Sequence, residues 1–148
     1  MMYNFLVILH LLGSATWIGG HVVLVRVVLP AALRENDPRR VTEFETGFSK
    51  IGLAAIVIQI VTGLFLAKHR FGTWGDIFTQ STQASHLVLT KLALLGITFA
   101  IAADASLRIL PRLDQSKMRA FVLHAWATTI LAILMLVAGA AVRLGGLF

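Results

Sequence analysis

The chain has 148 residues, of which 57% are hydrophobic and 14% are charged, and its formal net charge is +6. A water-soluble domain carries about 25% charged residues, so this composition indicates one integral membrane domain over 1–148. The sequence contains no cysteine, which excludes disulfides, thiolate metal ligands and thiol redox chemistry.

Four apolar segments follow one another, and each is close to the length that spans the hydrocarbon core of a bilayer. Because backbone polar groups must be satisfied within lipid, these segments are expected to be helices. The sequence therefore predicts an all-α membrane protein, a four-transmembrane-helix antiparallel bundle. The helices are predicted at roughly 3–30, 49–68, 86–110 and 119–142.

The basic residues divide unequally between the two ends of this bundle. The larger group flanks the loops between spans one and two and between spans three and four: Arg26, Arg34, Arg39, Arg40, Lys50, Arg108, Arg112, Lys117 and Arg119. The smaller group lies towards the other end: Lys68, Arg70, Lys91 and Arg143. The positive-inside rule puts the larger group in the cytoplasm and both termini outside. The basic charge thus reflects the topology of the protein in the membrane. We expect the chain to contact the lipid bilayer and not nucleic acid, and homo-oligomer formation is left open by the sequence.

Span one carries the most informative pattern of the chain, HLLGSATWIGGH. At 100° per residue, Trp17 falls about 20° to one side of His10, and His21 about 20° to the other side. The two imidazoles are roughly 16 Å apart along the helix axis. Ionisable side chains inside an apolar span are costly and are usually functional.

The connections between the spans carry local signals. Asp37-Pro38 is a helix-start signal, and Val41, Phe44 and Phe48 predict an amphipathic turn at the inner surface that leads into span two. The loop at 112–117 is short, so spans three and four should be antiparallel neighbours.

Polar side chains also occur inside spans two and three. Gln59 and Thr62 lie on one side of span two, and Asp104 and Arg108 lie one turn apart in span three, as an interfacial ion pair would. Lys91 lies about eight residues into span three. It either snorkels to the outer headgroups or faces His10, where it could bind a haem propionate or a quinone oxygen.

The depth of each histidine in the membrane suggests two groups. His21 and His124 should lie at similar depth in the cytoplasmic half, on spans one and four. His10 belongs to the outer half, together with His69 or His86. Facing imidazoles on different helices suit a b-type haem in a bundle core or a histidine metal site.

Five segments, in order, resemble the short members of the CopD (copper resistance protein D) family. They are HLLGSATWIGGH, LPAALRENDP, FETGFSKIGLAAIVIQIVTGLFLA, LTKLALLGITFAIAADASLRILPRL and LHAWATTILAILMLVAGAAVRLGG. Positions that look like family signatures are His10, Trp17, His21, Glu45, Gln59, Lys91, Asp104, Arg108, His124 and Arg143; His69 and His86 do not. The resemblance implies a four-helix protein of the bacterial inner membrane, linked to copper handling.

A second resemblance is to HemJ-type protoporphyrinogen oxidases, which are similarly short. His10, Trp17, a following glycine and Lys91 match their pattern. This resemblance implies a b haem. His21 and His124 depart from the pattern and favour bis-histidine ligation, as in membrane b-type cytochromes.

Three functions therefore remain open from the sequence. One is copper homeostasis, with copper bound or translocated by His10, His21 and His124 and delivered by a periplasmic carrier. Another is a haem b oxidoreductase or electron-transfer protein with a quinone or electron partner. Its cofactor would be bound by His21, His124, Lys91 and Trp17. The third is an assembly subunit without a cofactor.

Overall fold

The computed structural model describes residues 1–79 and 82–144, with side chains up to 141. These residues form helices and no strands, and four helical stretches are long and apolar enough to cross a membrane. The predicted all-α four-helix architecture is confirmed. The elements are α1 (Met2–Val23), a π-helical turn π1 (Leu24–Val28), α2 (Leu29–Glu35), α3 (Arg39–Phe71), α4 (Asp76–Thr79), α5 (Gln83–Asp104), π2 (Ala105–Ile109), a 3₁₀ turn (Leu110–Arg112) and α6 (Met118–Leu144).

The first span continues past Pro30, where the sequence predicts its end, and runs to Glu35. Proline removes a backbone donor and crowds the preceding turn. The wider π1 turn lies directly before Pro30 and lets the helix continue. The helix ends at Asn36, which adopts a left-handed conformation (φ 56°) that asparagine tolerates better than most residues.

The second span begins where the Asp37-Pro38 signal predicts, with α3 starting at Arg39. Asp37 accepts hydrogen bonds from the backbone and side chain of Arg39, both at 3.1 Å, and these bonds hold the pKa of Asp37 below its usual range. The predicted turn over Val41–Phe48 forms the first part of α3, which continues from it into span two as a single helix. It ends at Gly72, whose φ of 83° favours glycine.

The third span starts with a capping box, in which Thr82 and Ser85 exchange side-chain and backbone hydrogen bonds. It repeats the device of the first span, because the π2 turn lies just before Pro111. The short connection to α6 makes spans three and four antiparallel neighbours, as predicted.

The helices pack as two pairs. The first pair is α1 with α3, the second is α5 with α6, and contacts between α1 and α6 join them, whereas α3 and α5 barely touch. We call the end with the 36–38 and 113–117 connections the basic end, and the opposite one the terminal end. A buried core fills the basic end and includes Leu24, Leu29, Ala32, Val41 and Phe121. The space between α3 and α5 is where the site begins.

Candidate functional site

A cavity of about 370 Å³ lies between the two helix pairs in the basic half of the bundle. We call it the bundle cavity. All four spans contribute to its lining, which is mostly apolar. Its polar and aromatic lining residues include Trp17, His21, Phe44, Glu45, Phe48, Ser49, Phe99, Phe121, His124 and Thr128.

His21 enters the cavity from α1, one turn before π1. Its Nδ1 lies 3.0 Å from the carbonyl oxygen of Trp17, and because a carbonyl only accepts, Nδ1 carries the proton. In the neutral ring Nε2 then holds the free electron pair, which is the form that binds metals. The Trp17 and His21 rings also pack together, with centroids 4.4 Å apart, so the imidazole is fixed in orientation.

His124 enters the same cavity from α6 with the same arrangement at Nδ1, which donates to the Ala120 carbonyl at 2.8 Å. Its Nε2 lies 3.0 Å from Oδ2 of Asp104, so one proton lies between imidazole and carboxylate. The other carboxylate oxygen of Asp104 pairs with Arg108 at 3.1 Å, the ion pair that the sequence predicts. The Arg108 side chain is 83% exposed, which screens that pair.

Two features of this cavity were missed by the sequence reasoning. The first is the contact between Asp104 and His124. The depth of the two residues in the membrane is the sequence signal for this contact. Asp104 lies about two turns before the third span ends at Arg112, and His124 lies a similar distance after the fourth span begins at Met118. The second is Glu45, which lines the cavity from α3 and which the sequence marked only as a family position. Continuity of α3 through this segment brings Glu45 into the bundle.

His10 belongs to a different cluster, in the terminal half. Its Nδ1 lies 2.8 Å from the hydroxyl oxygen of Thr62, whose own proton is donated to the Ile58 carbonyl, so Nδ1 of His10 is the donor. Gln59 donates to the backbone carbonyl of His10 at 2.5 Å and also bonds to Ser14. Gly63 makes room for the imidazole, because a Cβ there would lie 3.2 Å from the ring. Span two thus presents its predicted polar side to span one.

Lys91 is half-buried and is directed at α6. A Cβ added to Gly139 would lie 2.9 Å from Nζ of Lys91. The ammonium is close enough to His10 for their charges to interact. It does not line the bundle cavity, so it is associated with His10 and not with His21 and His124.

The remaining predicted positions lie at the terminal end. The His69 ring packs against Tyr3, with centroids 4.9 Å apart, and neither a hydrogen bond nor a ring contact joins it to His10. The backbone carbonyl of His86 accepts a hydrogen bond from Thr90 at 2.8 Å. The side chain of Arg143 lies outside the described residues.

The structure brings two of the three predicted metal-binding histidines to one cavity and leaves the third elsewhere. His21 and His124 line the bundle cavity, and His10 is bonded to Thr62. Within 1–79 and 82–144, no three histidine, aspartate or glutamate side chains are grouped closely enough to hold a metal ion. Any metal in the cavity would therefore have few protein ligands.

The fold and the cavity define a class of protein, a four-span membrane protein with imidazoles facing an internal cavity. Residues 42–144 match the model of the family CopD, copper resistance protein D. The match covers more than half of the chain, and the chain belongs to the CopD family. It is thus a membrane protein of copper resistance or homeostasis. No curated protein and no solved structure matches the chain.

Proposed function

We propose that the chain binds copper in the bundle cavity, with His21 and His124 as ligands. The observation that carries this proposal is that two imidazoles on different helices, α1 and α6, line one cavity. Each has Nδ1 tied to a carbonyl one turn earlier, which leaves Nε2 as the ligating atom. Imidazole is a suitable ligand for copper, and the chain has no cysteine that would compete with it.

Asp104 completes this arrangement from α5. A copper ion on Nε2 of His124 replaces the proton that lies between this nitrogen and Asp104, since metal ligands bind deprotonated. The Asp104 carboxylate then lies beside Cu(I) in place of a proton, and the net charge of the site stays the same because both carry one positive charge. Asp104 thus offsets the charge of the bound ion, while the Ala120 carbonyl on Nδ1 orients the His124 ring.

Translocation is the second part of the proposal. His10 and His21 lie on one side of the first span, roughly 16 Å apart along its axis, and we assign them to two stations for copper. A cation at His10 is repelled by the Lys91 ammonium, so we assign stable binding to the cavity and transient binding to His10. We also propose that the basic end faces the cytoplasm, so that a periplasmic copper carrier meets the His10 end.

The experiment is a titration of the metal-free, detergent-purified protein with Cu(I) in competition with a chromophoric chelator. We expect the wild type to bind copper, and His21→Ala and His124→Ala each to weaken binding at least tenfold. His69→Ala is the matched control, because His69 packs on Tyr3 outside the cavity. The proposal fails if both cavity variants bind like the wild type, or if His69→Ala has the same effect.

A haem b is a second candidate for the same cavity. Its support is the mostly apolar lining, which includes aromatic side chains and two imidazoles on different helices. Bis-histidine ligation would require His124 to release Asp104, and Lys91 would lie outside the site. An oxidised and a dithionite-reduced visible spectrum, recorded after haem-replete expression, separates the candidates. A sharp reduced b-type band identifies haem, and a blank spectrum with bound copper favours copper.

A further inference from the structure

One side of the bundle cavity is lined by residues that are exposed on the surface of the bundle. The lining on that side comes from α3, from α5 and from the π2 turn that continues α5, and the long helices α3 and α5 barely touch. Leu53, Phe99 and Leu107 line the cavity and are each more than half exposed on the outside of the bundle. In a membrane this surface faces hydrocarbon, so the cavity is accessible to a molecule dissolved in the bilayer.

One wall of the cavity is aromatic. Phe44 and Phe48 stack with their centroids 5.6 Å apart and an interplanar angle of 14°, and Trp17 lines the cavity from α1. Gly20 is needed for this wall, because a Cβ there would overlap the Phe48 ring. Aromatic side chains arranged in this way stack on a flat aromatic ligand.

Two polar groups of the cavity, one on α3 and one on α1, are hydrogen-bond acceptors without a partner in the described part of the chain. Glu45 is half-buried, and in the described part of the chain its carboxyl group has no hydrogen bond or ion pair. Nε2 of His21 is also without a partner there, since its proton is on Nδ1. A ligand that satisfies both groups must bring donors. A plain acyl chain brings none.

We propose that the bundle cavity binds a quinol, a lipid-soluble aromatic ring with two hydroxyl groups, whose tail leaves between α3 and α5. Glu45 accepts a hydrogen bond from one hydroxyl group, and the ring lies against the aromatic wall. The cavity volume of about 370 Å³ falls in the range of small-molecule sites, roughly 300–1,000 Å³, and far exceeds the space of a single ion. This inference goes beyond copper binding and does not depend on it.

The experiment measures binding of decylubiquinol to metal-free protein in lipid nanodiscs, under anaerobic conditions that keep the quinol reduced. We expect saturable binding to the wild type and a loss of about fivefold for Glu45→Gln, since an amide oxygen accepts a weaker hydrogen bond than a carboxylate. Glu43→Gln is the matched control, an exposed glutamate on the same helix that does not line the cavity.

A second pair of variants tests the cavity without touching its polar groups. Ala102→Leu adds volume to the lining and should reduce quinol binding, whereas Ala100→Leu lies exposed on the same helix and should not. Non-saturable partitioning into the nanodisc, or wild-type binding by both Glu45→Gln and Ala102→Leu, would overturn the proposal. Tightly bound phospholipid that quinol does not displace would also overturn it. Because copper is absent, none of these results depends on the copper proposal.

Discussion

The contact between Asp104 and His124 can be tested by a double-mutant cycle. A hydrogen bond to a charged group contributes about 1.5–3 kcal/mol, and this contact is 3.0 Å long with His124 only 27% exposed. Asparagine keeps one acceptor oxygen, so Asp104→Asn should lose about half of that, roughly 1 kcal/mol. The pair with Arg108 should contribute under about 0.5 kcal/mol, because surface ion pairs are screened and Arg108 is 83% exposed.

The cycle combines Asp104→Asn with His124→Gln, and separately with Arg108→Gln. Free energies of unfolding are measured in detergent by reversible denaturation, and the coupling energy is the departure from additivity. We expect a coupling of roughly 1 kcal/mol between positions 104 and 124 and a smaller one between 104 and 108. If the larger coupling belongs to Arg108, Asp104 is an interfacial ion-pair residue and not the partner of His124.

Two further predictions concern packing and charge elsewhere in the bundle. Gly20→Leu would drive a side chain into the Phe48 ring and should cost about 1–3 kcal/mol. Gly19→Leu should cost less because nothing lies within 4 Å of its added Cβ; equal thermal midpoints would contradict this packing. Lys91→Met removes the ammonium group that lies next to Gly139, and it should leave membrane insertion intact. It should slow copper flux into proteoliposomes, because copper bound more tightly at His10 leaves more slowly; unchanged flux would make Lys91 a snorkelling residue.

The sequence predicts the four helices well because length and apolarity alone decide which segments can span a bilayer. It misplaces the end of the first helix at Pro30. A proline usually ends a helix, and only the structure reveals the π-helical turn that accommodates it. The same device occurs before Pro111, whereas Pro38 precedes the start of α3 and needs no such turn.

The candidate site is less predictable than the fold. Helical periodicity places His10, Trp17 and His21 on one stripe, and depth pairs His21 with His124. Neither argument fixes the rotation of α5 about its axis, and this rotation brings Asp104 to His124. Helical periodicity also gives no information on the gap between α3 and α5, because the gap depends on which helices pack together as pairs.

The most direct test of copper binding in the bundle cavity is X-ray absorption spectroscopy on copper-loaded protein. We expect the wild type to show a nitrogen shell with the outer scattering of imidazole, and His21→Ala and His124→Ala each to lose part of that signal. His69→Ala should retain it. Identical spectra from all four proteins, or a sulfur shell from methionine in place of imidazole, would contradict the assignment of copper to His21 and His124.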